Sequence, residues 1–264
     1  MKTAVFSDIH ANPAAFRRAI NSARRLGCEH IICCGDIVGY GYSPNECIEI
    51  CKKNHIECVK GNHDAALVGE LSLDWFNHYA AQGIVSNRPL VTEENKKWLA
   101  NLPYKIEKQF GDTKVAFSHG TYALPEQFGY IDDMYSAMVE MDLIRKNGID
   151  ALFIGHTHGA ELYARNTSDD RNLIHGTLPK SIKKRLAQPL NCWSEAIFNV
   201  GSVGYPRRCR YSTYAIIDDS IPRVTWRQLP FDYFGYTEKI VAMGREIPVW
   251  LKGRLVFENG GDEW

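Results

Sequence analysis

Three short apolar runs, Thr3 to Phe6, Ile31 to Cys34 and Ile56 to Val59, alternate with two segments that read as helices, Pro13 to Leu26 and Pro44 to Lys53. Proline is tolerated in a helix's first turn because its missing N–H has no partner there, and Gly27 can close the first helix in left-handed backbone. Strands separated by whole helices pair through crossovers rather than hairpins. The opening is therefore βαβαβ, a largely parallel sheet with helices laid over it. That pattern constrains function too, since ligands of open α/β sheets bind beyond the carboxyl ends of the strands.

Residues 67–102 carry Trp75, Phe76, Trp98 and Leu99, with Thr92-Glu93-Glu94 as a helix start, and read as helices packed outside the sheet. Strand patterns follow at Tyr104 to Gln109, Lys114 to Ser118, Ala151 to Ile154, Leu162 to Arg165, Ala196 to Val200, Tyr211 to Asp218 and Arg223 to Leu229, with a helix over Asp133 to Asn147 between them. The irregular stretch 166–191 is expected to be a surface insertion, and 236–264 a helical tail broken at Pro248. The whole reads as a single domain, 1–264.

Five of the apolar runs end in side chains that bind metals. Phe6 is followed by Ser7-Asp8-Ile9-His10, Cys34 by Gly35-Asp36, Val59 by Lys60-Gly61-Asn62-His63-Asp64, Phe117 by Ser118-His119-Gly120, and Ile154 by Gly155-His156-Thr157-His158. Each has an ordinary reading: Asp8 and Asp36 as helix caps, Asn62-His63 as a turn, His119 as a satisfied core histidine, His156 and His158 as the start of a loop. Together they put carboxylates, imidazoles and an amide at one end of a sheet, and buried charged groups are costly unless paired or bound to metal. If the chain stays extended through 156–158, period-2 alternation places His156 and His158 on one face.

Bulk properties remove other classes. Formal net charge is zero, so there is no long-range attraction to polyanions, and nucleic acid is an unfavoured partner despite the basic clusters at 180–185 and 207–210. No apolar stretch approaches the ~20 residues of a membrane span, and MKTAVFSDIH turns polar too soon for a secretory signal, which points to the cytoplasm. Of the 8 cysteines, those at 28, 33, 34, 47, 51 and 58 sit in core-like runs without CxxC spacing and are expected to be reduced.

The blocks Asp8-Ile9-His10, Gly35-Asp36, Gly61-Asn62-His63-Asp64, His119 and Gly155-His156-Thr157-His158 resemble, in kind and order, those of the calcineurin-like metallophosphoesterase superfamily. The flanks Gly35 to Gly41 and Asn199 to Arg207 are similar to its compact prokaryotic branch, related to diadenosine tetraphosphatases and serine/threonine protein phosphatases, with Val200 where that branch usually has proline. The resemblance implies a four-layer αββα sandwich of two mixed β-sheets. It also implies two divalent ions (Mn, Fe or Zn), one held by Asp8, His10, Asp36 and His158, the other by Asp36, Asn62, His119 and His156, with Asp36 bridging. His156 and His158 would then serve different ions.

The chemistry implied is attack of a metal-bound hydroxide on phosphorus, with His63 protonating the leaving oxygen through a near-neutral pKa and Asn62 donating to a phosphoryl oxygen. Protein phosphatases of this superfamily carry GDxVDRG, in which the later Asp supports the histidine and the Arg grips phosphate. Gly39 and Tyr40 stand there in this chain, which leaves Arg207 as the candidate phosphate ligand. The expected substrate is a small phosphodiester or a dinucleoside polyphosphate such as diadenosine tetraphosphate, ahead of a phosphomonoester or phosphoprotein. A non-catalytic scaffold is the remaining alternative, and oligomeric state cannot be read from the sequence.

Overall fold

A computed structural model describes residues 1–166, 169–177, 187–190 and 192–258. In chain order the strands are β1 Lys2–Phe6, β2 His30–Cys33, β3 Glu57–Cys58, β4 Lys105–Phe110, β5 Thr113–Ser118, β6 Ala151–Ile154, β7 Ala160–Asn166, β8 Asp169–Thr177, β9 Ala187–Pro189, β10 Trp193–Val200, β11 Tyr211–Asp218 and β12 Arg223–Pro230. The helices are α1 Pro13–Arg25, α2 Pro44–Lys53, α3 Asn62–Val68, α4 His78–Asn87, α5 Glu93–Ala100, α6 Met134–Lys146, α7 Tyr233–Ala242 and α8 Val249–Glu258, with a 3-10 turn at Leu73–Trp75.

Two mixed six-stranded sheets result, in the orders β3-β2-β1-β11-β12-β9 and β4-β5-β6-β10-β7-β8. In the first, β1, β2 and β3 are parallel and β11 runs antiparallel to β1; in the second, β5, β6 and β10 are parallel. Alternation along the strands sorts the apolar side chains into three cores. Ala4, Phe6, Ile31 and Cys33 meet the helices over the first sheet. Val5, Ile32, Phe117, Phe153 and Phe198 fill the space between sheets, and Leu152, Ile154 and Ile197 meet α6 on the outer face of the second. The layers are helices, sheet, sheet, helix, as the resemblance implied.

Local chemistry explains the elements. α1 is capped by Asn12, whose side chain accepts from Ala15 N, starts on Pro13, buries Ala15, Phe16, Ala19, Ile20 and Ala23 on one stripe, and ends in Arg24 and Arg25 against its own dipole. Ser43 occupies the cap position of α2. Asp8 and Asp36 therefore cap neither helix. The six early cysteines are free and buried.

Two expectations change. The stretch taken as an irregular insertion supplies β8, which pairs with β7, and β9, which pairs with β12. Both are edge strands, whose polar outer faces blur the alternation by which a strand is recognised; the cluster at 180–185 falls outside the described residues. The other change is at Asn62 and His63, which open α3 behind the cap residue Gly61 rather than forming a turn.

Candidate metal centre

The parallel strands of both sheets point their carboxyl ends at one place. Beyond β1 and β2 the chains stay paired but leave strand geometry: Asp8 N donates to Gly35 O (3.1 Å), His10 N to Asp36 O (2.9 Å) and Ala11 N to Ile37 O (2.8 Å). Asp8, His10 and Asp36 adopt φ of 53°, 45° and 54°, a region that non-glycine residues enter at a cost and that clusters at functional sites. His156 and His158 do the same, at 66° and 60°. The chain is thus not extended after β6, contrary to the alternation argument, and successive left-handed kinks aim the two rings differently.

Close approach explains the glycine before His156. A Cβ on Gly155 would lie 1.9 Å from Ser7 Oγ and 2.4 Å from Asp8 Oδ2. Only glycine lets the two sheets meet here.

Each carboxylate divides its oxygens. Asp8 Oδ2 accepts from His156 N (3.1 Å), whereas Oδ1 is buried without a hydrogen-bond partner and lies 3.3 Å from His158 Nε2. Asp36 Oδ1 accepts from His63 N (2.9 Å), whereas Oδ2 lies 3.2 Å from His119 Nε2 and 3.7 Å from His10 Nε2. One oxygen fixes backbone and the other faces the centre.

The imidazoles are sorted by their other nitrogen. His10 Nδ1 donates to Val38 O (3.1 Å), His119 Nδ1 to Cys34 O (2.7 Å) and His158 Nδ1 to Tyr205 O (2.6 Å). A carbonyl can only accept, so each Nδ1 carries hydrogen and Nε2 is the nitrogen left to a metal, the usual arrangement of metal-ligating histidine; at His119, whose ring Asp36 keeps protonated, a metal would have to displace the Nε2 proton. His10 Nε2 and His158 Nε2 face each other at 3.1 Å, which calls for a proton or cation between them. His119 Nε2 faces Asn62 Oδ1 at 3.0 Å, and His156 Nε2 is buried with no partner. Such orphaned, convergent lone pairs fit divalent cations, and the Asp, His and Asn set without cysteine suits Mn, Fe or Zn.

Ligand-type atoms within 4.8 Å of one another fall into the groups Asp8, His10, His158 and Asp36, His119, His156, with a third formed by His10, Asp36 and His63. Every metal-type residue singled out from the sequence is brought here, and the neighbouring histidines 156 and 158 fall in different groups.

Ionisation follows the geometry. Burial opposes charge on Asp36, but the His119 and His63 rings beside it hold the carboxyl well below its ordinary value. Burial also opposes charge on His119, yet Asp36 outweighs it and raises the ring to about 9. His156 is pushed down by burial and then by His119, and His158 by burial and then by Arg207. His63 is driven by burial to about 3 rather than the near-neutral value expected. Asp36 opposes that shift but does not offset it, and His10, His119 and Arg207 add to it. A Cβ on Gly39 would sit 2.1 Å from His63 Nδ1, and that nitrogen is left without a partner.

Arg207 reaches the mouth of a cavity of about 40 Å³ lined also by Asp36, Asn62, His63 and His156. Its guanidinium lies 5.8 Å from the centre of the Tyr40 ring, and no carboxylate among the described residues pairs with it.

Residues that sequence reasoning passed over hold the site in shape. Asp64, fully buried, accepts from Ile37 N (3.0 Å), Val38 N (3.1 Å) and Gly61 N (3.0 Å), and so knits the Asp36 loop to the Asn62 loop. Its place directly after Asn62-His63 was the available signal. Asn199 Nδ2 donates to Gly155 O (2.8 Å) and Thr157 Oγ1 (2.9 Å), bracing the loop of His156 and His158. Tyr40 stacks on Tyr205 at 4.2 Å and leans on His63 at 4.7 Å, filling with rings the place where the superfamily's phosphate-gripping arginine would stand.

Comparison with known proteins supplies the context. A family model described as the calcineurin-like phosphoesterase superfamily domain matches residues 1–220. The uncharacterized protein MJ0912 of Methanocaldococcus jannaschii is 34% identical over 254 residues, 96% of each chain. The crystal structure of a metallophosphoesterase from Sphaerobacter thermophilus is 30% identical, with a TM-score of 0.75 over 97% of this chain and 98% of that one. That of hypothetical protein PH1004 from Pyrococcus horikoshii OT3 shares the fold at 16% identity, with a TM-score of 0.72 over 96% and 97%. The matched span runs through every convergent side chain from Asp8 to Arg207, and the chain belongs to the calcineurin-like phosphoesterase superfamily, as a metal-dependent hydrolase.

Proposed function

We propose that the chain acts as a single domain that hydrolyses a small phosphodiester or phosphoanhydride, a dinucleoside polyphosphate being the first choice, at a binuclear centre. The observation that carries this reading is Asp36 Oδ2, which lies 3.2 Å from His119 Nε2 in its own group and 3.7 Å from His10 Nε2, a member of the group with Asp8 and His158. Asp8, His10, Asp36 and His158 would hold one ion, and Asp36, Asn62, His119 and His156 the other. Divalent ions there supply Lewis acidity, acidifying water and neutralising charge on phosphoryl oxygens.

The protein's own groups do the rest. Asn62 orients a phosphoryl oxygen through its amide, and Arg207 binds a second from the mouth. His63 would protonate the leaving oxygen; burial keeps the ring neutral in the ion-free protein, so it must first take a proton from solvent and then give it up to that oxygen. Without a carboxylate behind His63 or an arginine at position 40, a phosphoprotein is disfavoured as substrate. No described helix is long and apolar enough to cross a membrane, which fits the cytoplasmic location we propose.

The test is a panel of diadenosine tetraphosphate, cyclic nucleotides, phosphomonoesters and phosphopeptides assayed with Mn²⁺ and compared by kcat/KM, alongside bis-p-nitrophenyl phosphate. The two anhydride and diester classes should lead. Protein that retains no transition metal and leaves every member intact in Mn²⁺ is a scaffold, and the proposal is then wrong. His63→Ala should lower turnover with metal content unchanged; loss of both would remove its assigned role.

A further inference from the structure

The mouth of the cavity carries exposed aromatic rings that the hydrolytic chemistry does not require. Trp75 is 81% exposed and Tyr130 55%, yet both line the same mouth as Arg207. They come from opposite sides of the sandwich, Trp75 from the 3-10 turn after α3 and Tyr130 from the loop between β5 and α6. Each is carried by an ordered stretch of backbone, and Tyr130 is held by its ring as well. Tyr130 lies flat on His156, with centroids 3.8 Å apart and planes at 19°, so one face is committed and the other is free. Its loop is pinned where a Cβ on Gly120 would come within 2.3 Å of Gly129 O. The turn bearing Trp75 is capped by Ser72, and Phe76 beside it meets His63 edge-on at 5.1 Å.

Exposing a tryptophan at the same mouth as a tyrosine stacked on His156 has no benefit for folding, because apolar area left in water contributes nothing to stability. It suits a planar aromatic ligand, since every nucleobase has a π-face that stacks on such rings. The cavity behind, at about 40 Å³, has room for little more than a phosphoryl oxygen and water, so the rest of any substrate must lie at this mouth. Arg207, without a carboxylate partner among the described residues, stands beside the rings.

We propose that Trp75 and Tyr130 form a nucleobase subsite, which makes a nucleotide, rather than an aliphatic phosphodiester, the ligand of this centre. The inference rests on the proposed phosphoesterase reading and sharpens its substrate class. Trp75 and Tyr130 are specificity residues in it, not catalytic ones.

The test compares binding of adenosine 5′-monophosphate and ribose 5-phosphate, which differ only in the base, to the Mn²⁺-loaded protein by calorimetry. The nucleotide should bind roughly 5- to 100-fold more tightly, the range expected of one stacked base. Trp75→Ala should reduce that ratio, and Tyr130→Phe should retain it because the ring and not the hydroxyl makes the stack. Equal affinities in the unaltered protein, or a ratio untouched by Trp75→Ala, would overturn the subsite. Failure of the phosphoesterase reading shows separately, as absence of hydrolysis of bis-p-nitrophenyl phosphate by the same Mn²⁺-loaded preparation.

Discussion

The floor and the rim of one cavity are built by different rules. On the floor, Asp8, His10 and His119 are 0% exposed and Asp36 1%, the backbones of Asp8 and His10 are tied to those of Gly35 and Asp36, and glycine is needed at position 155, where a Cβ would meet Ser7 and Asp8 of the other sheet. At the rim, Trp75 and Tyr130 stand in water and Arg207 lacks a carboxylate partner among the described residues. The floor resists change because each group there has one position and several dependants. The rim can vary without disturbing the fold, and on the functions proposed above substrate choice would reside there and the reaction type below.

The largest expected effect comes from the floor. Asp36→Ala removes the carboxylate we propose is shared by the two ions, and since Lewis-acid stabilisation is worth several kcal/mol, hydrolysis of bis-p-nitrophenyl phosphate should fall by roughly 1,000-fold or more, with metal lost in elemental analysis. Retention of activity would end the distinction between floor and rim. One step out, Asp64→Ala strips the acceptor from three backbone N–H groups; positioning partners of metal sites typically account for 10–100-fold, and a loss of about that size in metal affinity is expected by titration.

Chelation separates the two regions without mutation. Because an ion binds the folded state, adding Mn²⁺ back at about 100 times its Kd should raise stability by ~2.7 kcal/mol, visible as a higher Tm. Arg207→Ala should leave that rise in place. The same Arg207→Ala variant carries the smallest effect, a rise in KM of about tenfold, as expected from one hydrogen bond between charged groups, with kcat changed less. A fall in kcat alone would move Arg207 from the rim to the reacting centre.

Legibility in the sequence followed the same division. The floor residues could be read because each sits within four positions of the end of an apolar strand, where period and punctuation are sharp. The rim could not: Trp75 was readable only as an apolar residue of a helical segment, and Tyr130 lies in a loop whose approach to His156 depends on the contact between Gly120 and Gly129. Asp64 was in plain view within Gly61-Asn62-His63-Asp64, but its three acceptor bonds exist only once the Asp36 loop is folded beside it. The edge strands β8 and β9 were missed because an edge, half solvated, shows little alternation.

What the sequence by itself determined is the order of the inner strands and the helices between them, without β8, β9 and α3, and the set of ligand-type side chains at the strand ends, since both follow from local periodicity and residue chemistry. Which nitrogen of each histidine faces inward, how Asp36 Oδ2 comes to lie between His119 and His10, and how His156 and His158 turn apart were decided only by tertiary structure. Those features depend on hydrogen bonds between loops of different sheets, such as His158 Nδ1 to Tyr205 O and His156 N to Asp8 Oδ2, and on left-handed backbone that those bonds hold in place.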